Sequence, residues 1–251
     1  MASERLNVYH YSRSDAMEHD ELALWRDSHK ANIACCVAIE KAISRDFDGM
    51  RLNESCAQSV LADYGYKRVN YVLANTLQQK AGDGRFSQAN QSWAKQTYIP
   101  QDKAGSGYDH NDEFVVESHP AVLDIFTNQY RAAVDALGMF GRDHCEAEYG
   151  RLELEGKVLV LSPRILKEEC WRPEDQLWYA HDGFGCTPGA IGRSIRCTCL
   201  GDGEMTRWNR TDFIGVLKDE YLPDWAQEKL AQLTGLEQTD APAMGGMTQS
   251  M

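Results

Sequence analysis

The chain has 251 residues, 43% hydrophobic and 25% charged, an ordinary globular composition that excludes collagen-like, purely coiled-coil and wholly disordered readings. Its 38 acidic side chains outnumber 26 Lys and Arg, and the net charge of −12 disfavours direct nucleic-acid binding and anionic membranes, leaving room only for a local basic patch. At this length two modest domains are expected.

The first periodic segment runs from Asp15 to about Arg45, where Leu22, Trp25, Cys36, Ile39 and Ile43 fall on one stripe, and it predicts a single long helix capped by Ser14 or Asp15. Glu18, Asp20 and Glu21 suit the positive end of its dipole and need no functional explanation. Two further helices, Glu54 to Asp63 and Tyr66 to about Gln79, are separated by Gly65, and a short one over Ser87 to Lys95 is expected to bury Trp93. The aperiodic run from Tyr98 to Asn111 reads as a surface loop, either a lid or a connection. Pro120 then opens a stripe of Val122, Leu123, Phe126, Tyr130, Val134 and Leu137 that stops at Gly138, the pattern of a capped helix.

After about Glu146 the period changes. Arg151 to Leu161, Gln176 to His181, Ser194 to Leu200 and Glu204 to Arg210 read as strands, with Gly201-Asp202-Gly203 as a hairpin turn. Ser162-Pro163 suits a short helix, and Thr211 to Asp219 and Pro223 to Leu233 read as two more. The fold class is therefore α+β: an all-helical domain over residues 1–146, a small antiparallel-sheet α+β domain over 147–233, and a disordered tail over 234–251. The opening residues lack a secretory signal and the longest aliphatic run, Val158 to Leu161, is far too short to span a bilayer, so a cytoplasmic protein with reduced cysteines and no membrane partner is expected.

Several stretches carry a resemblance. Ala38-Ile-Glu40-Lys-Ala-Ile43, Phe47-Asp-Gly-Met50, Leu61 to Thr76, Gly84-Arg-Phe-Ser87 and Trp93-Ala94 resemble an uncharacterised family, a domain of unknown function carried on integrative and conjugative elements of gut bacteria, and Gly183-Phe-Gly-Cys186, Gly192-Arg193, Gly203-Glu204, Arg207-Trp208-Asn-Arg210 and Asp212-Phe-Ile-Gly215 resemble a segment that recurs in such element-encoded proteins. The resemblance covers most of the chain up to Leu233 and implies a genomic setting rather than a reaction; no catalytic residue comes with it.

Local chemistry is sparse. The glycine-rich run Gly183 to Arg193 lacks the sixth-position glycine of a dinucleotide fingerprint, where Pro188 stands, and leads into a strand, so it reads as a connection and no cofactor is expected. His181, Cys186, Cys197 and Cys199 offer zinc donors, but a one-residue gap between Cys197 and Cys199 on a strand is the spacing of buried thiols, and the expectation is no metal. On the first helix His29, Asn32, Cys36 and Glu40 line one edge. A Cys–His nucleophile pair is excluded there, since seven helical positions span ~10 Å, while His29, Asn32 and Glu40 stay as candidate binding residues. Arg193, Arg196, Arg207, Trp208 and Arg210 concentrate basic and aromatic side chains on one hairpin and form the best local binding candidate, against the alternative that Trp208 covers the core and the arginines pair with local acids. The functional expectation is an accessory protein of a mobile genetic element, anti-defence or regulatory, that binds another protein; the alternative is an enzyme acting on a nucleotide or nucleic acid at an interdomain site.

Overall fold

A computed structural model describes residues 7–102, 108–167 and 170–239, the side chains of 236–239 excepted. The part of the expected loop over 103–107 and the part of the expected tail over 240–251 lie outside the described residues. The chain is mixed α+β, with helices first and a five-stranded antiparallel sheet after them, and divides into two compact units between Leu137 and Gly138.

The first unit contains α1 (Arg13–Glu18), α2 (Leu22–Asp46), α3 (Cys56–Tyr64), α4 (Tyr66–Gln79), α5 (Gln88–Ala94) and α6 (Pro120–Asp135). The single long helix expected from Asp15 to Arg45 is two. Asp20 adopts φ 59°, a left-handed conformation that a short polar side chain tolerates, and the Glu21 amide turns back onto the Ala16 carbonyl at 2.8 Å, ending α1 before α2 begins. The cap of α1 is Ser12, whose hydroxyl accepts from the Asp15 amide, rather than Ser14 or Asp15. Apolar faces of α2, α3, α4 and α6 close one core in which Cys35, Ile39, Leu73, Leu123 and Phe126 are wholly buried. Trp93 on α5 packs against that core but stays partly exposed.

The second unit is a sheet of β1 (Val158–Leu161), β2 (Leu177–Asp182), β3 (Ser194–Cys199), β4 (Met205–Asn209) and β5 (Phe213–Val216) in the order β4-β3-β2-β1-β5. Among the described residues two expected helices are absent. Phe213–Val216 pairs with β1, Leu159 opposite Val216, because a four-residue apolar run carries no period that separates strand from helix until a partner edge is present. Ser162-Pro163 leads into a turn, and the helix on this side is the single turn α7 (Pro173–Gln176). Cys145 bridges Leu217, and the Glu146 amide donates to Val216, so the segment before Glu146 packs with the sheet and the break falls at Leu137. One sheet face buries Trp178, Ala180, Ile195 and Cys197; the other packs Val158, Val160, Leu177 and Tyr179 against α8 (Asp224–Thr239). Residues 234–239, expected in the disordered tail, continue this helix, and Leu230 and Leu233 before them pack against the sheet core. Among the described residues no helix is long and apolar enough to cross a membrane.

Candidate functional site

The arginines of the hairpin separate into two kinds. Arg210 is 3% exposed, and its guanidinium donates to six main-chain carbonyls, those of Tyr149, Gly150 and Leu152 on one side and Gly185, Cys186 and Thr187 on the other, while lying 5.0 Å from the Tyr149 ring centre. Only a fork of five N–H groups reaches so many acceptors from one position. Arg210 is therefore a staple of the fold, in place of the binding role expected for it. Trp208 packs edge-on against Trp178 at 5.4 Å and faces the core, its indole N–H buried without a hydrogen-bond partner among the described residues. The remaining three arginines reach solvent. Arg196 and Arg207 stand opposite one another on β3 and β4; Arg196 binds Asp182 and holds that carboxyl below its usual range. Arg193 is exposed at the end of the glycine-rich loop.

That loop has a defined conformation. Gly183 has φ 125°, and a Cβ on it would come within 2.6 Å of the Ser194 carbonyl; one on Gly185 would lie 2.5 Å from the Arg193 carbonyl. The two glycines let the loop backbone lie directly against β3, and Arg210 ties its carbonyls from beneath. What the loop presents outward is apolar: Phe184 is 83% exposed and Ile191 79%, and with Thr187, Ala190 and Arg193 they line a groove of about 900 Å³ counting its open side. Neither residue stood out in the sequence, because a lone Phe or Ile between glycines has no periodicity to show which way it points.

The four alternative zinc donors are not brought together. Cys186, Cys197 and Cys199 lie in the core on one face of the sheet, where burial pushes their thiols up to about 11, 12 and 11. His181 points to the other face and bonds the Thr198 hydroxyl at 2.7 Å. Among the described residues the set of ligating atoms within 4.8 Å of one another is Asp175, Cys199 and Asp202, a grouping the sequence did not suggest, and Asp175 there already binds Arg172 at 2.6 Å.

In the helical unit His29 and Asn32 line a narrow cleft, with about 330 Å³ of space counting its mouth, together with Arg13, Trp25, Asp102 and His110. Glu40 lies elsewhere, accepting from the Glu117 amide at 2.7 Å. Two histidine–carboxylate pairs build the cleft: His29 Nε2 donates to Glu113 Oε2 at 3.0 Å, which holds the Glu113 carboxyl below its usual range, and His110 Nδ1 donates to Asp102 Oδ2 at 2.6 Å. The Trp25 ring stacks on His29 at 4.8 Å and meets His110 edge-on at 5.2 Å. Behind them the buried Arg68 bonds the Ser28 carbonyl, the Asn32 side chain and the Asn7 carbonyl, fixing the face of α2 that lines the cleft. Asp102, His110 and Glu113 escaped notice in the sequence because they reach His29 from a segment about eighty positions away, and only His29 sits on a periodic element.

Residues 8–135, a little over half of the chain and the part that carries this cleft, match the model of a family described as protein of unknown function, DUF3849. No curated protein and no solved structure matches the chain.

Proposed function

The chain belongs to the DUF3849 family of proteins of unknown function, and we propose that it acts by binding another protein, through the groove of the 183–193 loop. One observation carries this reading: two large apolar side chains, Phe184 and Ile191, are held almost fully in solvent on a loop that glycines and the buried Arg210 fix in place. Exposed apolar groups on a fixed loop lose little further freedom on association, which is how a pre-organised contact gains affinity. The partner is a protein segment that combines apolar anchors with acidic side chains. Its anchors cover Phe184 and Ile191, and its carboxylates meet Arg193, with Arg196 and Arg207 supplying positive charge on the neighbouring strands of an otherwise acidic chain. The resemblance of both halves of the chain to element-borne proteins supports an accessory role on a mobile genetic element, regulatory or anti-defence, in a cytoplasmic setting.

The test is affinity capture from host lysate by the intact chain and by F184A/I191A and R193A variants, with mass spectrometry of what is retained. These side chains are exposed, so the variants are expected to fold. A partner retained by the wild type should be weakened by about 2 kcal/mol or more when an anchor is removed. Retention of the same proteins by wild type and both variants would overturn the proposal.

A further inference from the structure

The cleft of the helical unit is built differently from the groove of the sheet unit and points to a different kind of ligand. Its two imidazoles lie 6.0 Å apart, centre to centre, at 82° to one another. Each has one nitrogen tied to a carboxylate, and among the described residues the second nitrogen of each, His29 Nδ1 and His110 Nε2, has no hydrogen-bond partner. A carboxylate at one ring nitrogen orients the ring, so that a second proton on the imidazole stands on the nitrogen that faces the cleft. The Asp102 side chain that holds His110 is 8% exposed, and its second oxygen meets no donor among the described residues. Glu113 is engaged at both oxygens, by His29 and by the Tyr108 hydroxyl at 2.9 Å. Arg13, half-buried on the same wall, has no acceptor among the described residues. With Glu113 engaged at both oxygens and Asp102 bonded to His110 through one, the cleft still offers the Arg13 guanidinium and the two outer imidazole nitrogens, in a chain whose net charge is −12.

We infer that this cleft binds a phosphate ester, its phosphate held by the Arg13 guanidinium and by the second N–H groups of His29 and His110. Three separate donors match a tetrahedral oxyanion, which presents three acceptor oxygens besides the ester link, better than a planar carboxylate with two. The half-buried Trp25 ring beside the two imidazoles suits a small planar group carried on that phosphate.

The intact chain is titrated at fixed pH and ionic strength with inorganic phosphate, a nucleoside 5′-monophosphate and acetate, following the imidazole ¹⁵N signals of His29 and His110. Saturable shifts of both rings with phosphate and with the monophosphate, the latter at lower concentration, and none with acetate, are expected. R13Q, which leaves both histidine–carboxylate pairs in place, should weaken phosphate about tenfold or more, as loss of a charge-assisted bond does; R85Q, an exposed arginine outside the cleft lining, should leave the phosphate titration as it is in the wild type. Absence of a saturable shift, an equal response to acetate, exclusion of the monophosphate or an R13Q variant that binds like wild type would each overturn the assignment. Partner capture through the 183–193 loop is read separately, so the two proposals stand or fall independently.

Discussion

Each unit holds a buried arginine, and the two differ in what they bind. Arg68, 3% exposed among helices, bonds the Ser28 carbonyl, the Asn32 side chain and the Asn7 carbonyl, and its bonds hold a helix face and the N-terminal segment at a cleft. Arg210, also 3% exposed, sits where the backbone is irregular and donates only to main-chain carbonyls, supplying the hydrogen bonds that two loops cannot make to each other. Helices satisfy most of their own backbone internally, so the buried arginine among them divides its bonds between main-chain carbonyls and the side chains of Asn32 and Ser28. Loops packed on a sheet do not, and there the same guanidinium is absorbed by the main chain. A basic residue near a candidate surface is therefore no guide to binding until its acceptors are known.

The largest test of this contrast is Arg210→Ala. It leaves six carbonyls around a buried void, and a loss of about 3 kcal/mol or more in urea unfolding is expected; Arg210→Lys should recover little, since one ammonium cannot span acceptors on two loops. Exposed Arg207→Ala should stay within about 0.5 kcal/mol of wild type. Equal effects would show that Arg210 is not the staple described.

A second, smaller effect compares glycines. Gly185→Ala places a methyl 2.5 Å from the Arg193 carbonyl, a backbone atom that cannot yield cheaply, and should cost about 1–3 kcal/mol. Gly82→Ala in the helical unit meets nothing within 4 Å and has no left-handed φ; it should be neutral or stabilise by up to about 1 kcal/mol. A tolerated Gly185→Ala would mean that the loop moves freely off β3, and the pre-organisation argument would weaken with it.

The third concerns kinetics. Seven of the eight cysteines are buried and Cys170 is half-exposed. Burial raises the thiols of Cys36, Cys56 and Cys197 to about 12, so at neutral pH almost no reactive thiolate is present, and labelling by a thiol reagent should rise with pH. One fast-reacting thiol, lost in Cys170→Ser, is the expected count in the native state, with the others reacting only on unfolding. Several fast thiols would show that one unit opens locally more readily than its packing implies.

How much was legible in the sequence follows from the range of the interactions. Helical spacing set α4 at Tyr66–Gln79 and opened α6 at Pro120, because a buried stripe and a helix-starting proline are local signals. Alternation and the Gly-Asp-Gly turn marked the β3–β4 hairpin. The strand at Phe213–Val216 and the α1–α2 break at Asp20 are not legible locally, since each depends on what lies across from it: a free edge of β1 and a backbone turn closing on Ala16. The same division runs through the candidate sites. The amino-acid sequence by itself determined the α+β order, the acidic charge, and His29 with Asn32 on one helix edge. Only the tertiary structure decided that Asp102, His110 and Glu113 meet that edge, that Arg210 belongs to the main chain, and that Phe184 and Ile191 face solvent, because contacts between distant segments and the direction of loop side chains follow from packing, which no local period encodes.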